Sequence, residues 1–195
     1  MTKIKICGLM TTADIAAVNH VKPDYAGFVF AAGRHQLTLV QALNLRQHLD
    51  SAIPSVGVFV DAPLATMLTA VQQGAISIVQ CHGHESAATI RALQHAGVPV
   101  IQAFRLPEQP YHPTPADYVM LDSRVGSAHP LTPAQLDQPL RQPLFLAGAL
   151  TPENVTAVLK ASRPAVIDVS RGVETAGHKD PQKIAQMVAN VHQFN

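Results

Sequence analysis

Two residues far apart in the chain have side chains suited to moving protons. Cys7 ends the apolar run at residues 3–7, and Asp122 follows the apolar run at residues 118–121. A thiol titrates close enough to neutral pH to serve as a base when tuned, and a carboxyl serves as an acid when its pKa is raised. Each also has a plain structural use. A cysteine after a strand is a small buried hydrophobe, and an aspartate there caps a loop or helix. A second chemistry is suggested by two loops near the end of the chain. Residues 144–147 run into Gly148 and Ala149, and residues 166–169 run into Ser170, Arg171 and Gly172. Glycine beside a helix start lets backbone N–H groups approach an anion, where the helix dipole favours negative charge. Thr151 is the expected N-cap of the helix that follows, with Pro152 in its first position. Either glycine alone would serve simply to turn the chain; together, on neighbouring strands, the loops form a phosphate clamp. Arg34, past the second strand, has a fork that fits a carboxylate, or it lies in solvent. His82-Gly83-His84 has no partner at a metal-ligand spacing and reads as a loop, and Cys7 and Cys81 form no zinc pattern.

The elements that must position these residues alternate. Strands are expected at residues 3–7, 25–30, 55–60, 76–80, 98–104, 118–121, 144–147 and 166–169. Their short, continuously apolar runs suit strands buried on both faces of a parallel sheet. Helices are expected from a cap at residues 12–14, over 38–49, from 61–63 to Gly74, and over 86–96, 152–161 and 181–192. Asp180 before Pro181 is a strong N-cap pair. Two connections break the pattern. Residues 106–115 carry four prolines and cannot form a regular helix, and residues 132–140 form at best a short one. Eight strands alternating with helices predict a (β/α)8 TIM barrel, an α/β fold, with an irregular fifth and a short sixth helical segment. No GxGxxG follows the first strand, which disfavours an open dinucleotide-binding sheet. A chain of 195 residues, 47% hydrophobic and without a Gly/Ser-rich linker, is expected to form a single domain over residues 1–195. In such a barrel, chemistry gathers at the C-terminal ends of the strands, where Cys7, Asp122, Gly148 and Ser170 fall.

A net charge of +1, the absence of Trp and the lack of a Lys/Arg run give no field or platform for nucleic acid. No apolar run approaches membrane-spanning length, and Met1 to Cys7 reads as a strand rather than a secretory leader. A cytoplasmic location is expected, with neither nucleic acid nor membrane as partner.

Several stretches together carry a resemblance. They are Lys5-Ile6-Cys7-Gly8-Leu9, Gly27-Phe28-Val29-Phe30, residues 56–60, Gln80-Cys81-His82-Gly83, Leu121-Asp122-Ser123, residues 146–155, and Asp168-Val169-Ser170-Arg171-Gly172-Val173-Glu174. In this order, and from end to end, the chain resembles the N-(5′-phosphoribosyl)anthranilate isomerases of tryptophan biosynthesis. The resemblance implies the same barrel and an Amadori rearrangement of a phosphoribosyl aminoaldose to an aminoketose, with a small-molecule substrate and no metal or organic cofactor. It implies that Cys7 is the general base at C2′ and Asp122 the general acid at the ring oxygen. It also implies that Gly148, Ala149, Ser170, Arg171 and Gly172 hold the phosphate through backbone N–H groups. The family's arginine for the anthranilate carboxylate aligns with His35, one residue after Arg34, so these two are the carboxylate candidates. Three further differences stand out. Residues 126–133 replace a glycine-rich stretch after the acid, Ala149 replaces a glycine, and Arg171 replaces a serine. Alanine is tolerated in such a loop where φ is negative. The competing reading is a diverged barrel that binds a related phosphoribosyl compound as a sensor or partner. Retention of both Cys7 and Asp122 argues against it. The expected assembly is a monomer or homodimer.

Overall fold

In the computed structural model, which describes residues 1–123 and 127–194, parallel strands close into a barrel in sequence order. They are β1 (Lys3–Cys7), β2 (Tyr25–Val29), β3 (Ser55–Phe59), β4 (Ile78–Cys81), β5 (Val100–Leu106), β6 (Tyr118–Ser123), β7 (Leu144–Leu146) and β8 (Val166–Val169). Closure is made by β8 on β1, with Lys5 opposite Asp168 and Ile6 opposite Val169. The expected (β/α)8 barrel is therefore the observed fold. Helices α1 (Thr12–Val21), α2 (Leu39–His48), α3 (Leu64–Gln72), α4 (Ala87–His95), α5 (Pro133–Leu136), α6 (Val155–Ser162) and α7 (Pro181–Gln193) follow the strands. The proline-rich segment after β5 forms no helix among the described residues, and α5 spans four residues. Among the described residues no helix is long and apolar enough to cross a membrane.

Side chains alternate across each strand, and this sorts the core into two. Outward residues such as Ile4, Ile6, Phe28, Phe59, Phe104 and Ile167 pack with the helices' Ile15, Met67, Ile90 and Ile184. Each such side chain, fully buried, contributes roughly 1.5–3 kcal/mol. Inward residues Tyr25, Val56, Ile78, Ile101, Phe145 and Val166 form a second apolar cluster inside the barrel. Nearer the C-terminal ends, β2, β3, β5 and β7 keep apolar inward residues such as Val29, Val58 and Ala147, whereas the other strands turn polar residues inward. These polar residues are Lys5 and Cys7, Gln80 and His82, Asp122, and Asp168 and Ser170.

Local chemistry sets the element ends, with corrections to the sequence reading. Helix α1 is capped by Thr11, not by residues 12–14; its hydroxyl accepts from the Asp14 N–H, and Asp14 Oδ2 accepts from the Thr11 N–H at 3.0 Å. Asp180 caps α7 as expected, accepting from the N–H groups of Gln182 and Lys183. Thr151 is not the cap of α6. Its carbonyl closes a turn onto Asn154 and Val155, and the helix starts only after Asn154. Strand β6 runs on to Ser123, so Asp122 sits within a strand rather than after one. A short 3-10 turn (Arg171–Val173) and a hairpin of β9 (Glu174–Thr175) and β10 (His178–Lys179), unforeseen in the sequence, lie between β8 and α7.

Candidate functional site

One end of the barrel opens into a cavity of about 570 Å3, a size that suits a small organic ligand. Its wall brings together Cys7, Asp122, Gly148, Ala149, Ser170, Arg171 and Gly172, with Gln80, His82, Met120 and Asp168 below them. Ser127 and Ala128 of the segment after β6 also line it, while Gly126 lies outside the described residues. Among the described residues no group of three or more His, Cys, Asp or Glu side chains is placed to hold a metal ion.

Cys7 reaches the cavity because its neighbour is small. A Cβ on Gly27 would stand 2.7 Å from the Cys7 sulfur. The thiol is 7% exposed. Burial pushes its pKa up, and Asp168 adds to this, while Lys5 and Lys179 pull it back without cancelling the rise. Cys81 lies on the opposite face of its strand, fully buried, and burial with Glu85 nearby pushes it up to about 12. It is an inert core thiol.

Beneath Cys7 lies a buried charge pair to which the sequence reading assigned no role. Lys5 Nζ is 0% exposed and donates to Asp168 Oδ2 and to Gln80 Oε1, each at 2.8 Å. A lysine only donates, so the Gln80 oxygen must face it. The Gln80 amide nitrogen is then left to donate to His82 Nδ1 at 2.9 Å and to Met120 Sδ at 3.3 Å. That assigns the proton of a neutral His82 ring to Nε2, which lies 3.3 Å from Asp122 Oδ2. The approach is electrostatic rather than an aligned hydrogen bond, since Nε2 has no well-directed acceptor. A polar line thus runs under the cavity floor from Asp168 through Lys5, Gln80 and His82 to Asp122, passing beneath Cys7 at Lys5. His82, read from the sequence as a loop histidine, belongs to this line. The signal for Lys5 was present in the sequence: a lysine two residues before Cys7 on one strand shares its face.

The glycine-bearing loops form the opposite wall. Gly148 and Gly172 have no side chain, so it is their backbone that faces the cavity. Gly148 has φ +95°, and a Cβ there would collide with Ser123; a Cβ on Gly172 would collide with the Leu150 carbonyl. Ala149 has φ +51°, a left-handed conformation, not the negative φ on which tolerance of alanine was expected to rest. Asn154 holds this turn, accepting from the Thr151 N–H at 2.9 Å and donating to the Ala149 carbonyl at 2.8 Å. Lys179 Nζ fixes the other loop by donating to the Ser170 carbonyl at 3.0 Å. Arg171 is exposed at the cavity rim and brings positive charge to it.

Arg34 and His35 do not line the cavity. Both engage Glu174 on β9, Arg34 through an ion pair and His35 Nε2 at 2.8 Å from Oε1. Lys179 donates to the same Oε1 at 2.8 Å. The His35 ring packs over Gly8, next to Cys7 in the chain, and Arg34 over Gly177. Burial, then Lys179, lowers the His35 pKa more than Glu174 raises it, so at neutral pH the lasting positive charge of this pair is on Arg34.

The family model for N-(5′-phosphoribosyl)anthranilate isomerase matches residues 4–190. The N-(5′-phosphoribosyl)anthranilate isomerase of Lacticaseibacillus casei (strain BL23) is 49% identical over 189 residues, covering 96% of this chain and 94% of that protein. The crystal structure of the phosphoribosyl anthranilate isomerase of Thermus thermophilus superposes with a TM-score of 0.88 at 30% identity, covering both chains fully. A phosphoribosyl anthranilate isomerase in complex with reduced 1-(o-carboxyphenylamino)-1-deoxyribulose 5-phosphate has a TM-score of 0.82 at 26% identity, covering 99% of this chain and 100% of that one.

Proposed function

Since the chain belongs to the N-(5′-phosphoribosyl)anthranilate isomerase family, we propose that the cavity carries out that family's isomerisation in tryptophan biosynthesis, with Cys7 and Asp122 as its proton-transfer pair. The substrate is N-(5′-phosphoribosyl)anthranilate and the product is 1-(2-carboxyphenylamino)-1-deoxyribulose 5-phosphate. The observation that carries this reading is the cavity itself. The Cys7 thiol and the Asp122 carboxyl share it with a wall of loop backbone.

In this mechanism Asp122 gives its proton to the ring oxygen as the C1′–O bond breaks. The nitrogen lone pair forms the C1′=N bond of a protonated Schiff base. That cation acidifies the C2′ proton, so a thiolate suffices to remove it. Cys7 takes the proton, and the C–H electrons form the C1′=C2′ bond of an enaminol while nitrogen becomes neutral. Protonation at C1′ and loss of the C2′ hydroxyl proton then give the aminoketose. The His82 N–H facing Asp122 stabilises the carboxylate left by the first step.

Gly148, Ala149, Ser170, Arg171 and Gly172 hold the phosphate, the backbone of the two glycines doing so without a Cβ in the way. Arg34 receives the anthranilate carboxylate by exchanging its bond to Glu174, and the neutral His35 supports the same edge by hydrogen bonding. The ligand is thus a small phosphoribosyl compound. The assembly is a monomer or a homodimer, which light scattering distinguishes. The decisive experiment follows anthranilate fluorescence after mixing purified protein with freshly prepared N-(5′-phosphoribosyl)anthranilate. Consumption matching that of an authentic isomerase is expected. A rate no faster than the spontaneous decay of the substrate overturns the proposal.

A further inference from the structure

A fully buried lysine next to the proposed base calls for an explanation. An ammonium taken out of water into the middle of a barrel is strongly disfavoured unless paired. Lys5 is paired, and an amide and a carboxylate account for two of its three N–H donors. Among the described residues Gln80 and Asp168 each accept one. Lys5 and Cys7 are two apart on β1, so they point into the barrel one above the other. The third N–H is available to the sulfur above it, and the Lys5 charge does act on Cys7.

We propose that Lys5 is a positioning residue for the Cys7 base: its buried ammonium, held by Asp168 and Gln80, is the counter-charge that lets the thiol ionise inside the barrel. The inference rests on the reading of Cys7 as the base, but its test does not depend on activity. A thiolate in a water-poor cavity is disfavoured because it loses hydration, and a cation fixed within a few ångströms offsets that loss. Asp168 has two effects. It holds the ammonium in place at 2.8 Å, and its own negative charge works against the thiolate. Lys179 acts from β10 in the same sense as Lys5. Among the described residues, the remaining charged or titratable groups around the thiol are His82 just after β4, Asp122 on β6, Arg171 in the 3-10 turn and His35 above Gly8.

A merely structural Lys5–Asp168 pair and a charge-setting one predict different things. If the pair only fills the barrel, loss of either partner loosens the site. Water then enters, and the thiol ionises more easily in both variants. If the ammonium sets the charge balance, the two variants move the thiol in opposite directions. The experiment is the pH dependence of Cys7 alkylation by iodoacetamide, with the Cys7→Ser protein as blank. Cys81 stays silent because it is fully buried and titrates only at about 12. Lys5→Met should shift the ionisation midpoint upward, slowing alkylation at a fixed pH below it by about tenfold for each unit. Asp168→Asn, which keeps an acceptor for Lys5, should shift it downward. The double variant Lys5→Met/Asp168→Asn leaves no charge unpaired and should lie above the wild type; it carries the test if Lys5→Met does not fold. Circular dichroism establishes folding for each protein. A midpoint for Lys5→Met, or for the double variant, at or below that of the wild type overturns the proposal. An unchanged isomerisation kcat in Cys7→Ser would instead overturn the assignment of the base, whatever the alkylation midpoints.

Discussion

The protein contains two clusters in which one carboxylate gathers basic side chains, and they differ in how they are built. Inside the barrel, Asp168 and Lys5 face each other from adjacent strands in register, with Gln80 reaching across from β4. At the rim, Glu174 gathers Arg34 and His35 from the loop after β2 and Lys179 from its own hairpin. The interior pair is set by strand pairing and fully sheltered, with Lys5 at 0% and Asp168 at 7% exposure. The rim cluster ends in an arginine whose side chain is 51% exposed. Burial decides what each can do. A sheltered pair cannot exchange partners without leaving a charge stranded, so it sets a fixed field. At the rim the exposed Arg34 can leave Glu174 for water or a ligand carboxylate at small cost, because Lys179 and His35 stay on that carboxylate.

The largest expected effect is on the chemistry above the interior cluster. Cys7→Ser keeps the shape of the proposed base but hardly ionises, and Asp122→Asn removes the proton of the proposed acid. Each should lower kcat by about 10²–10⁴-fold with KM nearly unchanged, because the phosphate loops and the Arg34 edge are untouched. Wild-type kcat in Cys7→Ser would make the Lys5–Leu9 resemblance structural only.

Next comes stability, where the contrast between the clusters is sharpest. Asp168→Leu strands the Lys5 ammonium and should destabilise the fold by about 3–5 kcal/mol in urea titration. Arg34→Ala, which removes an exposed arm of the rim cluster, should cost about 1 kcal/mol or less while raising KM. Equal costs for the two substitutions would erase the distinction between a fixed and an exchangeable cluster.

A smaller effect is expected from ligand linkage. Phosphate-bearing compounds should raise the melting temperature of the wild type, and about 2.7 kcal/mol of stabilisation corresponds to a ligand at 100 times its Kd. Gly172→Ala, which pushes a methyl into the Leu150 carbonyl, should abolish that rise. A rise that survives the substitution would place the anion elsewhere.

The smallest effect is in acid. Burial works against the Glu174 carboxylate, but Lys179, His35 and Arg34 outweigh it and hold its pKa below the usual glutamate value. Its contribution to stability is therefore present above the unfolded pKa of about 4.3 and is lost as pH falls through the lower folded value. A difference in unfolding free energy between wild type and Glu174→Gln should shrink as the pH falls through that acidic range. A pH-independent difference would mean the cluster acts through packing alone.

The barrel was legible because each strand is a short apolar run behind a turn signal, a local pattern that does not depend on what lies across the sheet. The strand ends likewise located Cys7, Asp122, Gly148 and Ser170, since a parallel barrel places such ends on one side. Other details were not legible. Thr151 has the residue type of an N-cap, yet Asn154 captures its N–H and delays the helix. Ala149 adopts a positive φ that its own type disfavours, in a turn that Asn154 braces. Both outcomes depend on competition among neighbouring turns rather than on single-residue preference.

From the order of residues alone came the fold, the family and the proposed pair of proton-transfer groups, because hydrophobic period and motif are properties of contiguous chain. Tertiary structure decided the surroundings of those groups. That Lys5 meets Asp168 and Gln80 depends on barrel closure, which brings the first strand against the last. That Arg34 and His35 are held by Glu174 depends on two loops meeting at one rim. Charge interactions act through space and strengthen as water is excluded, so their partners are fixed only once the chain has closed on itself.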